Sequence, residues 1–257
     1  MNFLAIFQSE YLKTRRSLAS WLVLVGGIFT PLIIFIARMR FPHKMTNGYQ
    51  APDFWLNVWN NSWESMAMFM FPMGIIMATG LVTQLEFKNN AWKQLHTTPQ
   101  RYVSIYFMKL IIILLLLAQV FIVFNGCLYF FTILPVLFLS NVSYPSGAFD
   151  IMHYTRDNAK YFLDCLPIVT LQFLLGMHFK NFLVPLGIGF LMWILSLTTL
   201  SWEYNYTLPF SYLMMDFLRN TGRNIPQNVN IHMMALMYST FFTVIGYVVY
   251  TFKHEKG

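Results

Sequence analysis

The sequence is poor in charge. Asp, Glu, Lys and Arg supply 11% of its 257 residues, where soluble domains carry about 25%. Against this scarcity, 57% of the residues are hydrophobic and 26 are phenylalanine. A soluble chain of this length could not keep that much apolar surface from water, so lipid is the expected solvent. Cysteine is nearly absent. Cys127 and Cys165 fall in apolar segments at different depths, which excludes a disulfide framework and reads as two buried thiols. No CxxC or HExxH spacing occurs, so no metal site is expected. No basic tract interleaved with aromatics occurs outside the apolar runs, so the net charge of +7 does not point to nucleic acid. It fits positive residues held on the cytoplasmic side of a membrane. There is no internal repeat and no low-complexity tract. Residues 1–17 mix apolar and basic side chains, and the apolar run after them is too long, and lacks the small-residue site, for a cleaved signal peptide.

What the sequence has in abundance is long apolar runs. A helix crossing the hydrocarbon needs about 20 apolar residues, and six segments qualify: about 19–37, 66–85, 107–134, 161–178, 181–200 and 231–252. The expected fold is all-α and integral to the membrane, one transmembrane domain over residues 1–257. The third run is long enough to tilt or to extend beyond the bilayer. A tight turn at His178-Phe179-Lys180-Asn181 makes a hairpin of the fourth and fifth. With the N-terminus placed in the cytoplasm, the inner segments hold ten Lys and Arg and the longer outer loops hold seven. That density bias places both termini on the cytoplasmic side of the plasma membrane.

The segments between spans are not plain linkers. Residues 2–16 put Phe3, Leu4, Phe7 and Tyr11 on one helical face, followed by Lys13, Arg15 and Arg16, the pattern of an amphipathic helix at the inner interface. Residues 86–101 put Phe87, Ala91, Trp92 and Leu95 on one face. Thr98-Pro99 then supplies a cap and a first-turn proline for the helix that follows. A surface helix with an aromatic, two lysines and a defined exit has what a docking surface needs. In the outer loop 38–65, Trp55, Trp59 and Trp63 recur every four residues. They read first as an interfacial aromatic belt and second as a face toward a substrate. The loop 201–230 is too apolar to stand free and is expected to dip into the leaflet or pack over the bundle.

Glu86, Asn90, Trp92, Lys93, Leu95, Pro99 and Lys109 resemble the pattern between the second and third spans of type-2 ABC exporter permeases, most closely the branch that includes lantibiotic-immunity permeases. Glu10, Leu12, Lys13, Arg16 and Ser17, and the stretch Pro209-Phe210-Ser211-Tyr212, are similar to the same branch. The resemblance implies an N-terminal interfacial helix, six spans and a cytoplasmic coupling helix between spans two and three. On that pattern Glu86, Phe87, Asn90, Trp92, Lys93 and Leu95 would couple to an ATPase subunit. The sequence has no GxxxxGK[ST] motif, so ATP and Mg²⁺ are expected on that separate subunit and no cofactor on this chain. The resemblance also implies a second permease chain, identical or homologous.

Within the spans, Asn125 and Gln172 are the deep polar residues. They are expected to bridge helices and are also candidates for a substrate path, with the three tryptophans. Asp164 is placed near the outer end of the fourth span and Glu203 just beyond the fifth, both within reach of water. The histidines are scattered, with none expected to pair with a carboxylate or cysteine, so no catalytic residue is assigned. The function expected is export of a hydrophobic or amphipathic peptide or lipid-like molecule. A non-transporting scaffold or a membrane enzyme is the alternative.

Overall fold

The computed structural model describes residues 3–41, 48–87, 102–139, 142–145, 147–223 and 229–255. Every regular element among them is helical. A short helix α1 (Phe3–Arg15) leads into α2 (Leu18–Arg40). The break falls at Ser17, whose backbone is extended and whose hydroxyl donates to the Thr14 carbonyl. A side chain that bonds back to the preceding turn closes one helix before the next begins.

Helices α3 (Phe54–Ser65) and α4 (Phe71–Phe87) run on through a π-helical turn at Met66–Met70. Pro72 accounts for part of this local geometry. It has no N–H, so the Met68 carbonyl loses its usual donor, and the Trp193 indole N–H donates to that oxygen at 2.9 Å. In hydrocarbon such a freed carbonyl must find a partner inside the protein. The remaining long helices are α5 (Tyr102–Phe138), α6 (Ile151–His178), α7 (Leu183–Thr198) and α9 (Ile231–Glu255), with a short α8 (Tyr212–Asn220) before the last. α5 has 37 residues and is therefore about 55 Å long, well beyond the hydrocarbon thickness.

α2 lies along α5, α6 along α9, and α4 packs on both α2 and α6; α7 sits against α4 and α6, and α1 against α5. Close packing has a visible cause at Gly189, where an added Cβ would lie 2.7 Å from Gln172 Oε1 and 2.9 Å from Ile76 Cγ2. Outward faces are apolar. Met233, Met237, Phe241, Val244, Val248 and Phe252 are all exposed along α9, a helical stripe that suits lipid contact.

Five segments are long and apolar enough to cross a membrane: Leu18–Arg40, Phe54–Leu85, Val103–Phe138, Ile151–His178 and Ile231–Phe252. The expected fifth span is the shorter α7, 16 residues, cut at its start by the tight turn after His178. That turn is held by the Leu183 N–H donating to Asn181 Oδ1. Two expected boundaries also shift. The second span begins at Phe54, so half of the outer loop 38–65 is helix. The fourth begins at Ile151, because Asp150 caps it by accepting from the His153 N–H.

The tryptophans expected at an aromatic belt are in the core instead. Trp55, Trp59 and Trp63 are 5%, 3% and 0% exposed. Trp63 packs between Phe71, Phe121, Phe124 and Tyr161, with the Tyr161 ring at 4.6 Å. The spacing does define one helical face, but that face turns inward because α5 and α6 supply aromatic partners that sequence cannot show. The apolar stretch after α7 packs over the bundle as α8, whose residues Tyr212–Leu218 are buried.

Candidate functional site

Among the described residues, two buried ionic clusters stand out, one beside α1 and one at the far end of the bundle. The first is built on Glu10, which faces α5 from the penultimate turn of α1. Lys109 Nζ donates to Glu10 Oε2 at 2.8 Å, and Lys13 Nζ donates to Oε1 at 2.6 Å. Lys109 is 2% exposed and Glu10 8%. Burial pushes the Glu10 carboxyl up, but Lys109 and then Lys13 outweigh it and hold the group below the ordinary carboxylate range. Lys109 lies two turns into α5, the helix that follows the connection between α4 and α5. The pair therefore ties α1 to the base of that helix.

Of the residues expected to couple to an ATPase, Glu86 and Phe87 belong to the last turn of α4. Asn90, Trp92, Lys93 and Leu95 lie outside the described residues. Asn125 and Gln172 both bridge helices. Asn125 and Asn158 exchange amide hydrogen bonds of 2.9 and 3.2 Å between α5 and α6. Gln172 Nε2 donates to the Pro185 carbonyl of α7 at 2.9 Å. Trp55 also crosses the fold, its indole N–H donating to the Gly147 carbonyl. Asn125, Trp55 and Trp59 line one small cavity, which neither Gln172 nor Trp63 lines.

The second cluster went unseen in the sequence. His232, at the start of α9, has Nδ1 2.9 Å from Asp164 Oδ1 and Nε2 3.8 Å from Asp216 Oδ1. This corrects the expectation that no histidine meets a carboxylate; His153 Nε2 also lies 3.4 Å from Asp157 Oδ2. Asp164 is not near a water-accessible helix end, because α6 starts ten residues earlier than expected, and it is 0% exposed. Burial, and then the neighbouring Asp164 carboxylate, push the Asp216 carboxyl up to about 6. One ligand atom from each of Asp164, Asp216 and His232 lies within 4.8 Å of the others, a group able to hold a metal ion. The only hint in the sequence was an aspartate inside an apolar helix, which implies a partner somewhere in the fold.

The fold is that of a multi-pass helical membrane protein with buried ionic contacts between its helices. Residues 6–196 match the model of the ABC-2 family transporter proteins, which is most of the chain. The protein belongs to that family. Searches of curated proteins and of solved structures find no match.

Proposed function

We propose that this chain is the permease subunit of an ATP-driven exporter, expelling a hydrophobic or amphipathic molecule, peptide or lipid-like, from the membrane. ATP and Mg²⁺ would be bound by a separate ATPase subunit. A second permease chain would complete the pathway, and this chain would carry no catalytic group of its own. The observation that supports the reading, beside the family, is the buried Glu10–Lys109 pair. A force applied by the ATPase to the connection 88–101 would reach the base of α5 directly and, through this pair, α1 as well. The two helices would then move as one body, as coupling by rigid-body motion requires. In this arrangement α1 lies at the cytoplasmic interface, both termini are cytoplasmic, and α7 is a sixth, short span. Its 16 residues reach about 24 Å, enough to cross where the bilayer thins.

Purification from native membranes tests the proposal. An ATPase subunit should be recovered with the chain, and its activity should rise when the complex is reconstituted in lipid. Trp92→Asp with Leu95→Asp should abolish both. An ATPase that stays bound and fully stimulated by that variant overturns the coupling role of residues 86–96. Recovery of no ATPase at all overturns the exporter itself.

A further inference from the structure

We propose that Asp164, Asp216 and His232 form a binding site for one divalent transition-metal ion of the zinc type, which clamps α8 to α6 and α9. Three helices each contribute one residue, and the three ligand atoms lie within 4.8 Å of one another. A tetrahedral ion with bonds of about 2.0 Å needs its ligand atoms about 3.3 Å apart, so small side-chain rotations close the site. One imidazole and two carboxylates leave a fourth position, and the 32% exposure of the His232 side chain gives that position a route to solvent.

A second observation points to a ligand independently of the spacing. Among the described residues, Asp164 Oδ2 and Asp216 Oδ2 are buried with no hydrogen-bond donor outside the pair of carboxyls itself, and the residues are 0% and 5% exposed. Buried carboxylate oxygens without donors are costly, and a cation coordinated between them removes that cost. The other charged groups nearby do not do so. Lys160 and Asp157 act on Asp216 electrostatically, and Arg219 acts on Asp164. The two cations reduce the negative potential, yet neither offers an electron pair or fills a coordination position. Zinc fits better than magnesium or calcium because imidazole is a ligand those two hard cations seldom take.

The surroundings are already organised to receive such an ion. Asn220 Nδ2 donates to the Tyr161 hydroxyl at 3.1 Å, joining α8 to α6. The Tyr238 hydroxyl of α9 donates to the Thr207 carbonyl at 3.2 Å, and Arg223 pairs with Glu64 of α3 at 2.8 Å. The proposal does not depend on the export function.

The test uses the full chain, purified in detergent through a tag without histidine, stripped with EDTA and titrated with zinc chloride. The expected result is one zinc per chain, unaffected by excess magnesium. X-ray absorption should show a nitrogen and oxygen shell containing imidazole and no sulfur. Asp216→Asn and His232→Gln should each weaken binding by about 100-fold or more, the upper range for disturbing even an outer-shell partner. His153→Gln, which removes the exposed histidine that faces Asp157, should leave binding unchanged. Zinc that binds equally to the two ligand variants, or not at all to the native chain, overturns the proposal. If a ligand variant fails to fold, the absorption spectrum of the native protein decides, and a shell with sulfur or without imidazole is a refutation.

Discussion

Neutralising Glu10 should loosen α1 from the bundle, and the size of the effect can be worked from the geometry. Lys109 Nζ and Glu10 Oε2 are 2.8 Å apart. At an effective dielectric constant of about 20, the attraction is about 6 kcal/mol. Desolvation offsets much of this, since Lys109 is 2% and Glu10 8% exposed. What remains measurable is the cost of leaving one buried charge behind, about 3–5 kcal/mol when a partner is deleted. Lys109 makes further contacts of its own, so Glu10→Gln should fall at the low end, about 3 kcal/mol. Lys13 is 45% exposed at the side chain, and Lys13→Met should cost no more than about 0.5 kcal/mol because solvent screens that pair. Unfolding in mixed detergent and SDS micelles reads these values. A double-mutant cycle of Glu10→Gln with Lys109→Met should give a coupling energy of about 1.5 kcal/mol or more, within the range for directly contacting residues. The pH dependence follows with a definite sign. A carboxyl held below its ordinary range contributes fully above that range, and the contribution fades only as pH falls through the lowered value. The Glu10→Gln penalty should therefore be constant from mildly alkaline to mildly acidic conditions. A coupling energy under about 0.5 kcal/mol, indistinguishable from independent sites, refutes the reasoning.

Two further outcomes follow from the packing. Replacing either member of the Asn125–Asn158 pair with Leu should cost about 1–2 kcal/mol. The second replacement should cost much less once the first is made, which the same unfolding assay detects; full additivity would show that the two amides do not depend on each other. Gly189→Val should destabilise by at least about 1–3 kcal/mol, because its Cβ would meet Gln172 Oε1 and Ile76 Cγ2 within 2.9 Å. A variant that unfolds at the native detergent concentration would show that α7 does not approach α4 and α6 this closely.

The sequence made the solvent and most helices legible, because apolar runs of twenty residues have few other meanings. It placed the hairpin turn after His178. It misjudged the tryptophan face of α3, since period alone says which residues share a face and not which way the face turns. The Asp164–Asp216–His232 cluster was invisible for a simpler reason. Its members are 52 and 16 residues apart in the chain, with no motif between them, and meet only because α8 folds back into the groove of α6 and α9. Glu10 and Lys109 were noticed separately, in two stretches similar to the same family, while their contact across 99 residues is a property of the fold.

In lipid, an apolar helix gains little by exchanging acyl chains for another apolar helix, so burial of hydrophobic surface cannot by itself choose the neighbours. Polar contacts can, and here they form a connected series. Glu10–Lys109 joins α1 to α5. Asn125–Asn158 joins α5 to α6, and Gln172 joins α6 to α7 through the Pro185 carbonyl. Trp193 then joins α7 to the π-helical turn at the Met68 carbonyl, and His232 joins α9 to α6 through Asp164. Each contact fixes one pair of elements and shares an element with at least one other. Two of the five use a carbonyl of or beside a proline turn, where the helix itself frees or exposes an acceptor. The prolines inside the spans are thus more than sites of bending. At Pro72 the lost backbone bond creates the acceptor that sets where α7 docks, so removing the Trp193 indole N–H leaves a buried carbonyl unpaired rather than merely losing a contact.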